Sequence, residues 1–117
     1  MRVQDREGHA RMEQLSFSYR CSGRRVESSA AYAIAGVVSS GNCEVLIEKG
    51  EDSASCPVAV STSRPGFEKT WNAVLGNFLF DYDLSGYRIL INDAGAVPAV
   101  VNLRLHQAVE DLMGYRV

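Results

Sequence analysis

The sequence has few of the residues on which metal and disulfide sites depend. Its 117 residues include two histidines and three cysteines, Cys21, Cys43 and Cys56, with no Cys-x-x-Cys spacing among them. An odd number of widely separated cysteines indicates neither a disulfide framework nor a zinc or redox site. We therefore expect free thiols and a reducing compartment, the cytoplasm.

Long apolar runs and an excess of one charge are also missing. No stretch reaches the ~20 apolar residues of a membrane-spanning helix. Twelve Lys and Arg against fourteen Asp and Glu give a formal net charge of −2. The one basic cluster, Arg20, Arg24 and Arg25, adjoins Gly23 and is typical of a solvated loop. We expect no membrane and no nucleic-acid partner, since no basic stripe could follow a phosphate backbone.

Catalytic constellations are not evident either. The glycine motifs of nucleotide-binding loops do not occur. His9 lies in a polar N-terminal segment and His106 falls on the polar side of a predicted helix, so no Ser-His-Asp or Cys-His set can be argued. The Asp81 and Asp83 pair falls in a predicted turn, where both charges are solvated. We expect a protein that is not itself an enzyme.

What is present is the composition of one ordinary domain, with 46% hydrophobic and 22% charged residues. Residues 1–11 carry many charges and little to bury, so we expect them to form a disordered N-terminal extension. Residues 12–117 should form a single domain. A chain of this length buries around two-thirds of its unfolded surface, which suffices for one core.

The first part of that domain has the period of two that is typical of strands. Short alternating or β-branched runs predict four strands there, and a further run predicts a fifth strand later in the chain. The predicted strands are Leu15–Tyr19, Ala31–Val38, Asn42–Glu48, Pro57–Thr62 and Tyr87–Asn92.

Two segments have a helical period instead. Apolar residues recur at helical spacing from Phe67 to Leu79, and Trp71 in the middle of that stripe is expected in the core. Ser63 is a candidate N-cap of this helix, with Pro65 in its first turn, and Pro98 fits the first turn of a second helix. The order of elements predicts an α+β fold, a mainly antiparallel sheet of four to five strands with two helices on one face.

Ser39-Ser40-Gly41 separates two of the predicted strands. A glycine in so short a connection is a hairpin signal, because glycine takes the positive φ that tight hairpin turns require. Ser40 should then stand at an exposed tip. From spacing alone, a plain turn and a functional site are both compatible with these residues.

Four segments resemble one known family. Gly36–Leu46, which reads GVVSSGNCEVL, resembles the prosthetic-group segment of malonate decarboxylase acyl carrier proteins, the delta subunits, and Ser40 takes the place of their modified serine. The segments Ile91–Pro98 and Val101–Gln107 resemble the family's second signature, and Met12–Phe17 resembles its amino terminus.

The resemblance implies a carrier subunit rather than a catalyst. In that family 2'-(5''-phosphoribosyl)-3'-dephospho-CoA is joined to the serine through a phosphodiester, here at Ser40 beside Gly41. Its thiol carries acetyl and malonyl thioesters. The implied partners are the prosthetic-group transferase and the acyl transferase and decarboxylase subunits of the complex.

Two readings compete with this one. Where the family usually has Gly before the serine and Asp two positions after it, this chain has Ser39 and Asn42. Ser39 is therefore an alternative attachment point, and an unmodified binding or regulatory module of the same fold is an alternative function. The second competing reading is the related acyl carrier (gamma) chain of citrate lyase.

The loop Asp93–Pro98 is a candidate docking segment. It joins a predicted strand to a predicted helix, so its amides could face an anion on a partner or in the arm. Asp93 would then cap the helix or pair with a basic residue of the partner.

Overall fold

The computed structural model describes residues 12–114. The disorder predicted for residues 1–11 lies outside the described residues, as do residues 115–117. The strands are β1 (Glu13–Tyr19), β2 (Arg24–Arg25), β3 (Tyr32–Gly36), β4 (Cys43–Lys49), β5 (Cys56–Thr62), β6 (Tyr82–Asp83) and β7 (Tyr87–Asp93), and the helices are α1 (Glu68–Asp81) and α2 (Pro98–Leu112).

Five strands form the main sheet, in the order β1-β5-β7-β4-β3. The pairs β1/β5, β4/β7 and β3/β4 are antiparallel, whereas β5 and β7 run parallel. Parallel neighbours need a crossover connection, and α1 lies on the chain between β5 and β7. The α+β fold and the mainly antiparallel sheet are confirmed.

The core lies on one face of this sheet, under both helices. Helix α1 contacts β1 and α2, and α2 contacts β3 and β4. Alternate residues of each strand point into this layer, which is why the period of two in the sequence predicted the strands correctly. One row of aligned core-facing residues crosses the whole sheet: Leu15, Val60, Ile91, Val45 and Ala35.

The start of α1 differs from the prediction. The helix begins at Glu68, and its N-cap position, Phe67, has no side-chain capping bond, so the proposed Ser63 cap is wrong. The Thr62 hydroxyl accepts a hydrogen bond from the Arg64 amide at 3.0 Å and folds this segment into a turn before the helix. Helix α2, by contrast, begins at Pro98 as predicted.

The arginine cluster is more structured than a solvated loop. Residues Arg24–Arg25 form β2, which pairs in parallel with β6. The Arg25 guanidinium donates to the Ser85 carbonyl at 2.8 Å and lies 3.7 Å from the Asp83 carboxylate. Such two-residue strands carry no periodic signal, so the sequence could not predict this pairing.

Neither of the two helices within residues 12–114 has the length and hydropathy of a membrane span.

Trp71 is 6% exposed and belongs to the core, as its place in the apolar stripe predicted. We expect Trp71→Ala to lower the free energy of unfolding by about 3–5 kcal/mol, because it removes a large buried side chain. Urea denaturation of the purified protein measures this. The exposed neighbour Lys69 supplies the control, since Lys69→Ala should change stability by less than about 0.5 kcal/mol. A Trp71→Ala variant with the midpoint of the parent would contradict the packing of α1.

Candidate functional site

The loop between β3 and β4, residues 37–42, forms an ordered turn around Ser40. The Ser39 carbonyl accepts a hydrogen bond from the Asn42 amide at 2.8 Å, which places Ser40 and Gly41 at the two central positions of a four-residue turn. Gly41 has a φ of +77°. A positive φ at the second central position is the requirement of a type II turn, and glycine meets it without strain.

The Ser40 side chain stands in open surroundings. Ser39, Ser40 and Gly41 are all exposed. A Cβ atom added to Gly41 would meet nothing within 4 Å. Among residues 12–114, no hydrogen bond occupies the Ser40 hydroxyl. The prediction of an exposed serine at a turn is confirmed, and the connection is longer than a tight hairpin turn.

Backbone hydrogen bonds fix this turn to the loop that follows β7. The Gly41 amide donates to the Ala94 carbonyl at 2.8 Å, and the Ala94 amide donates to the Asn42 carbonyl at 2.9 Å. These bonds continue the β4/β7 ladder beyond its last aligned pair, Cys43 and Asp93. The exposed turn is therefore held at the end of the central strands.

A side-chain network from α2 supports the same turn. The Asn42 Oδ1 atom accepts hydrogen bonds from the Cys43 amide at 2.8 Å and from Arg104 Nε at 3.0 Å. Arg104 Nη1 in turn donates to Gln107 Oε1 at 2.9 Å. This places a half-buried cation beside the turn. Arg104 belongs to the family-like segment Val101–Gln107, but no local pattern in the sequence predicted this contact.

Gly36 allows Arg104 to reach the turn. It has a φ of +83°, and a Cβ atom added there would lie 2.0 Å from the Cys43 carbonyl oxygen and 2.9 Å from Arg104 Cδ. The last residue of β3 must therefore be glycine. This requirement was also missed, because only the folded structure brings β3, β4 and α2 together at that point.

The structure corrects the roles predicted for Asp93. Its side chain is 3% exposed. Oδ2 accepts hydrogen bonds from the Thr62 hydroxyl and the Gly95 amide, and Oδ1 accepts one from the Ala96 amide. It does not cap α2, whose N-cap position is Val97 and has no side-chain capping bond. The predicted cap is therefore wrong, and a carboxylate so buried and so fully bonded is poorly placed for the predicted pairing with a partner's basic residue.

The Cys43 thiol, three residues from Ser40, is unsuited to act as a nucleophile. Burial raises the pKa of Cys43 to about 11; the Asp93 carboxylate adds to the increase and Arg104 opposes it. The thiolate is the reactive form, so the thiol stays inert near neutral pH.

His106, the one histidine within residues 12–114, packs against another part of the fold. The His106 ring lies edge-on to the rings of Phe78 and Tyr82, and its Nδ1 is 2.9 Å from the Asn102 carbonyl oxygen. No hydrogen bond links it to Ser40. Within residues 12–114, no group of three or more histidine, cysteine, aspartate or glutamate side chains is arranged to hold a metal ion.

Comparison with known proteins identifies the family to which this chain belongs. The model of the "Malonate decarboxylase delta subunit (MdcD)" family matches residues 30–112. The chain belongs to the malonate decarboxylase acyl carrier family. The "Malonate decarboxylase acyl carrier protein" of Bradyrhizobium diazoefficiens is 42% identical over 101 residues, which cover 86% of this chain and 95% of the relative. That of Burkholderia cepacia is 45% identical over 101 residues, which cover 86% and 91%.

A solved structure agrees with this assignment. One chain from the crystal structure of a Pseudomonas malonate decarboxylase hetero-tetramer in complex with malonate superimposes with a TM-score of 0.71 at 32% identity. The match covers 86% of this chain and 98% of that chain. The resemblance that the sequence suggested is thus confirmed.

Segments that are separated in the sequence meet at the Ser40 turn of this acyl carrier family member. Gly36–Leu46 supplies the turn, Ile91–Pro98 supplies Ala94, and Val101–Gln107 supplies Arg104. The fourth segment, Met12–Phe17, lies apart in β1, on the opposite edge of the sheet from β3.

The two glycines of this region allow a matched test of the geometry. Gly41→Ala should cost about 1–2 kcal/mol, the penalty of a left-handed backbone for a residue with a Cβ atom. Gly36→Ala should cost more, because it adds a collision with the Cys43 carbonyl to the same penalty. Chemical denaturation of both variants measures the difference. Equal losses would contradict the close packing of Arg104 over β3.

The raised pKa of Cys43 predicts a loss of stability at alkaline pH. The folded state holds the thiol proton more tightly than the unfolded state, so this contribution is complete below the unfolded pKa of about 8.5 and is lost as the pH rises through about 11. Cys43→Ala should reduce the slope of the free energy of unfolding in that window by up to about 1.4 kcal/mol per pH unit. Denaturation curves at several alkaline pH values measure both slopes. Identical slopes would show that the buried thiol does not contribute.

Proposed function

We propose that this chain is the acyl carrier subunit of a malonate decarboxylase and that Ser40 carries 2'-(5''-phosphoribosyl)-3'-dephospho-CoA through a phosphodiester. The observation that carries the proposal is the Ser40 turn. It presents a hydroxyl free of partners among residues 12–114, at the family's modified position, on a loop fixed by two backbone hydrogen bonds to Ala94.

The residues around Ser40 suit a large anionic substituent. Gly41 leaves open space beside the serine, so a bulky group and the transferase that attaches it can approach. Arg104 places a positive charge next to the turn, where it would favour the phosphodiester over the uncharged hydroxyl.

When bound, the group supplies a thiol that carries acetyl and malonyl groups as thioesters. The chain itself holds the root of the arm. An exposed turn lets the arm swing, and the fixed backbone confines its reach to a defined volume. Tethering of this kind presents one acyl group to successive active sites at high effective concentration.

We further propose that catalysis belongs to other subunits. Cys43 is held in its neutral form and His106 packs against aromatic rings, so neither residue offers a nucleophile or a base at Ser40. The solved Pseudomonas relative is a hetero-tetramer in complex with malonate. By analogy, the acyl transferase and decarboxylase subunits are the proposed partners of this chain, together with the prosthetic-group transferase. The free thiols of Cys21, Cys43 and Cys56 fit the proposed cytoplasmic location.

Asn42 stands where the family usually has Asp, but this difference does not favour the alternative of an unmodified module. Asn42 Oδ1 accepts the hydrogen bonds from Cys43 and Arg104 that an aspartate oxygen at the same position could accept. The substitution of Asn for Asp therefore keeps the turn and its contact with α2. What it changes is the charge, because the Arg104 cation is left without a carboxylate in this contact and remains available to a phosphate.

The two adjacent serines provide the test. Ser40→Ala should abolish attachment of the group, while Ser39→Ala should leave it intact, because only Ser40 occupies the family's modified position. Intact-mass measurement on protein produced together with its transferase gives the result. Both variants should keep the melting temperature of the parent, since each loses only an exposed hydroxyl. An adduct that survives in Ser40→Ala and disappears in Ser39→Ala would move the attachment to Ser39, and a parent protein without any adduct would favour the unmodified module.

A further inference from the structure

A cavity lies beside the loop to which the Ser40 turn is bound. It has a volume of about 240 Å³ and opens between the first turns of α1, the loop before α2, and the start of α2. Its walls are mainly apolar and include Phe67, Trp71, Val74, Val97 and Val101. Nothing in the proposed attachment chemistry at Ser40 uses this space.

The cavity is close to the proposed attachment point. Ala94 is hydrogen-bonded to Gly41, and the next residues along the loop, Gly95 and Ala96, line the cavity. One short loop segment therefore does two things. Ala94 binds the Ser40 turn, and the next two residues form part of the cavity wall. A flexible arm rooted at Ser40 is therefore attached next to a segment that forms part of the cavity wall.

The charges at the cavity match the charges along such an arm. Arg64, whose guanidinium carbon lies 5.6 Å from the centre of the Phe67 ring, is exposed and lies against Gly95 at the rim. Inside, the buried polar side chain is the Asp93 carboxylate. A cation at the rim favours phosphates near the root of the arm, whereas an apolar interior with a carboxylate favours an uncharged end and disfavours a second anion.

The size of the cavity sets what can enter. Sites that enclose drug-sized ligands have volumes of about 300–1,000 Å³, and an apolar cavity of about 150 Å³ holds a benzene molecule. At about 240 Å³, this cavity suits a short acyl group with its thioester and a few adjoining atoms, and it is too small for the nucleotide part of the arm.

We propose that this cavity shelters the acetyl thioester end of the arm and excludes the malonyl end. This inference rests on the proposed attachment at Ser40. The acetyl group is small and uncharged, so it can be buried against Trp71 and Val101. The malonyl group ends in a carboxylate, whose burial beside Asp93 is unfavourable, and it therefore stays in solvent, where a partner's active site can take it.

The single tryptophan of the chain gives a direct readout, because Trp71 lines the cavity. The experiment uses the ¹⁵N-labelled protein with its prosthetic group attached, and compares free-thiol, acetylated and malonylated forms whose loading is verified by intact mass. Acetylation should shift the one indole N–H signal, and malonylation should leave it at the free-thiol position. An unchanged signal in the acetylated form, or equal shifts in both forms, would overturn the inference.

A cavity-filling variant separates occupancy from an indirect effect. Thr70 is exposed on α1 and lines the cavity, whereas the adjacent Lys69 is exposed and does not. Thr70→Phe should abolish the acetyl-dependent shift, and Lys69→Phe should retain it. A shift that persists in Thr70→Phe would contradict binding in the cavity. The mass measurement separates failure of the proposed attachment from failure of the proposed shelter. An absent adduct refutes the attachment at Ser40. An adduct that is present without a shift of the indole signal refutes the shelter alone.

Discussion

The structure around Ser40 depends on the pair of backbone hydrogen bonds that joins Gly41 and Asn42 to Ala94. An exposed loop ordinarily gains order from its own side chains or has little order at all. Here the loop becomes an extension of the β4/β7 ladder, so the rigidity of the central strands reaches Ser40, the proposed attachment point. Because these are main-chain bonds, they do not depend on which side chains stand at Ser39 and Asn42.

Residues that are distant in the sequence come together at the Ser40 turn. Arg104 can contact Asn42 only because Gly36 has no side chain, and Asp93 fixes the loop that presents Ala94. These residues form one unit with two sides. The outer side holds a serine in solvent, and the inner side closes an apolar cavity against α1 and α2. The proposed attachment of the arm uses the outer side, and the proposed shelter for its acyl end uses the inner side.

Local pattern predicted the elements of this fold well, because alternation and helical spacing are recorded within a few neighbouring residues. It placed Ser40 at an exposed turn, Trp71 in the core and the start of α2 at Pro98. It failed where the decisive partner is distant in sequence. Ser63 does not cap α1, because Thr62 folds the segment before the helix into a turn. Asp93 was predicted at a surface, but the Thr62 hydroxyl and two loop amides bind it in the interior. The contact of Arg104 with the turn spans 62 residues, and no local signal marks it.

The most direct test of this account is to locate the prosthetic group on the native chain. Trypsin cleaves after Arg25 and Lys49 and so releases residues 26–49, a peptide that contains Ser28, Ser29, Ser39 and Ser40. Fragmentation of this peptide by tandem mass spectrometry assigns the adduct to one serine. If Ser40 is the attachment point, fragment ions will carry phosphoribosyl-dephospho-CoA on Ser40. Assignment to another serine, or a peptide that is entirely unmodified in protein from its native host, would contradict it.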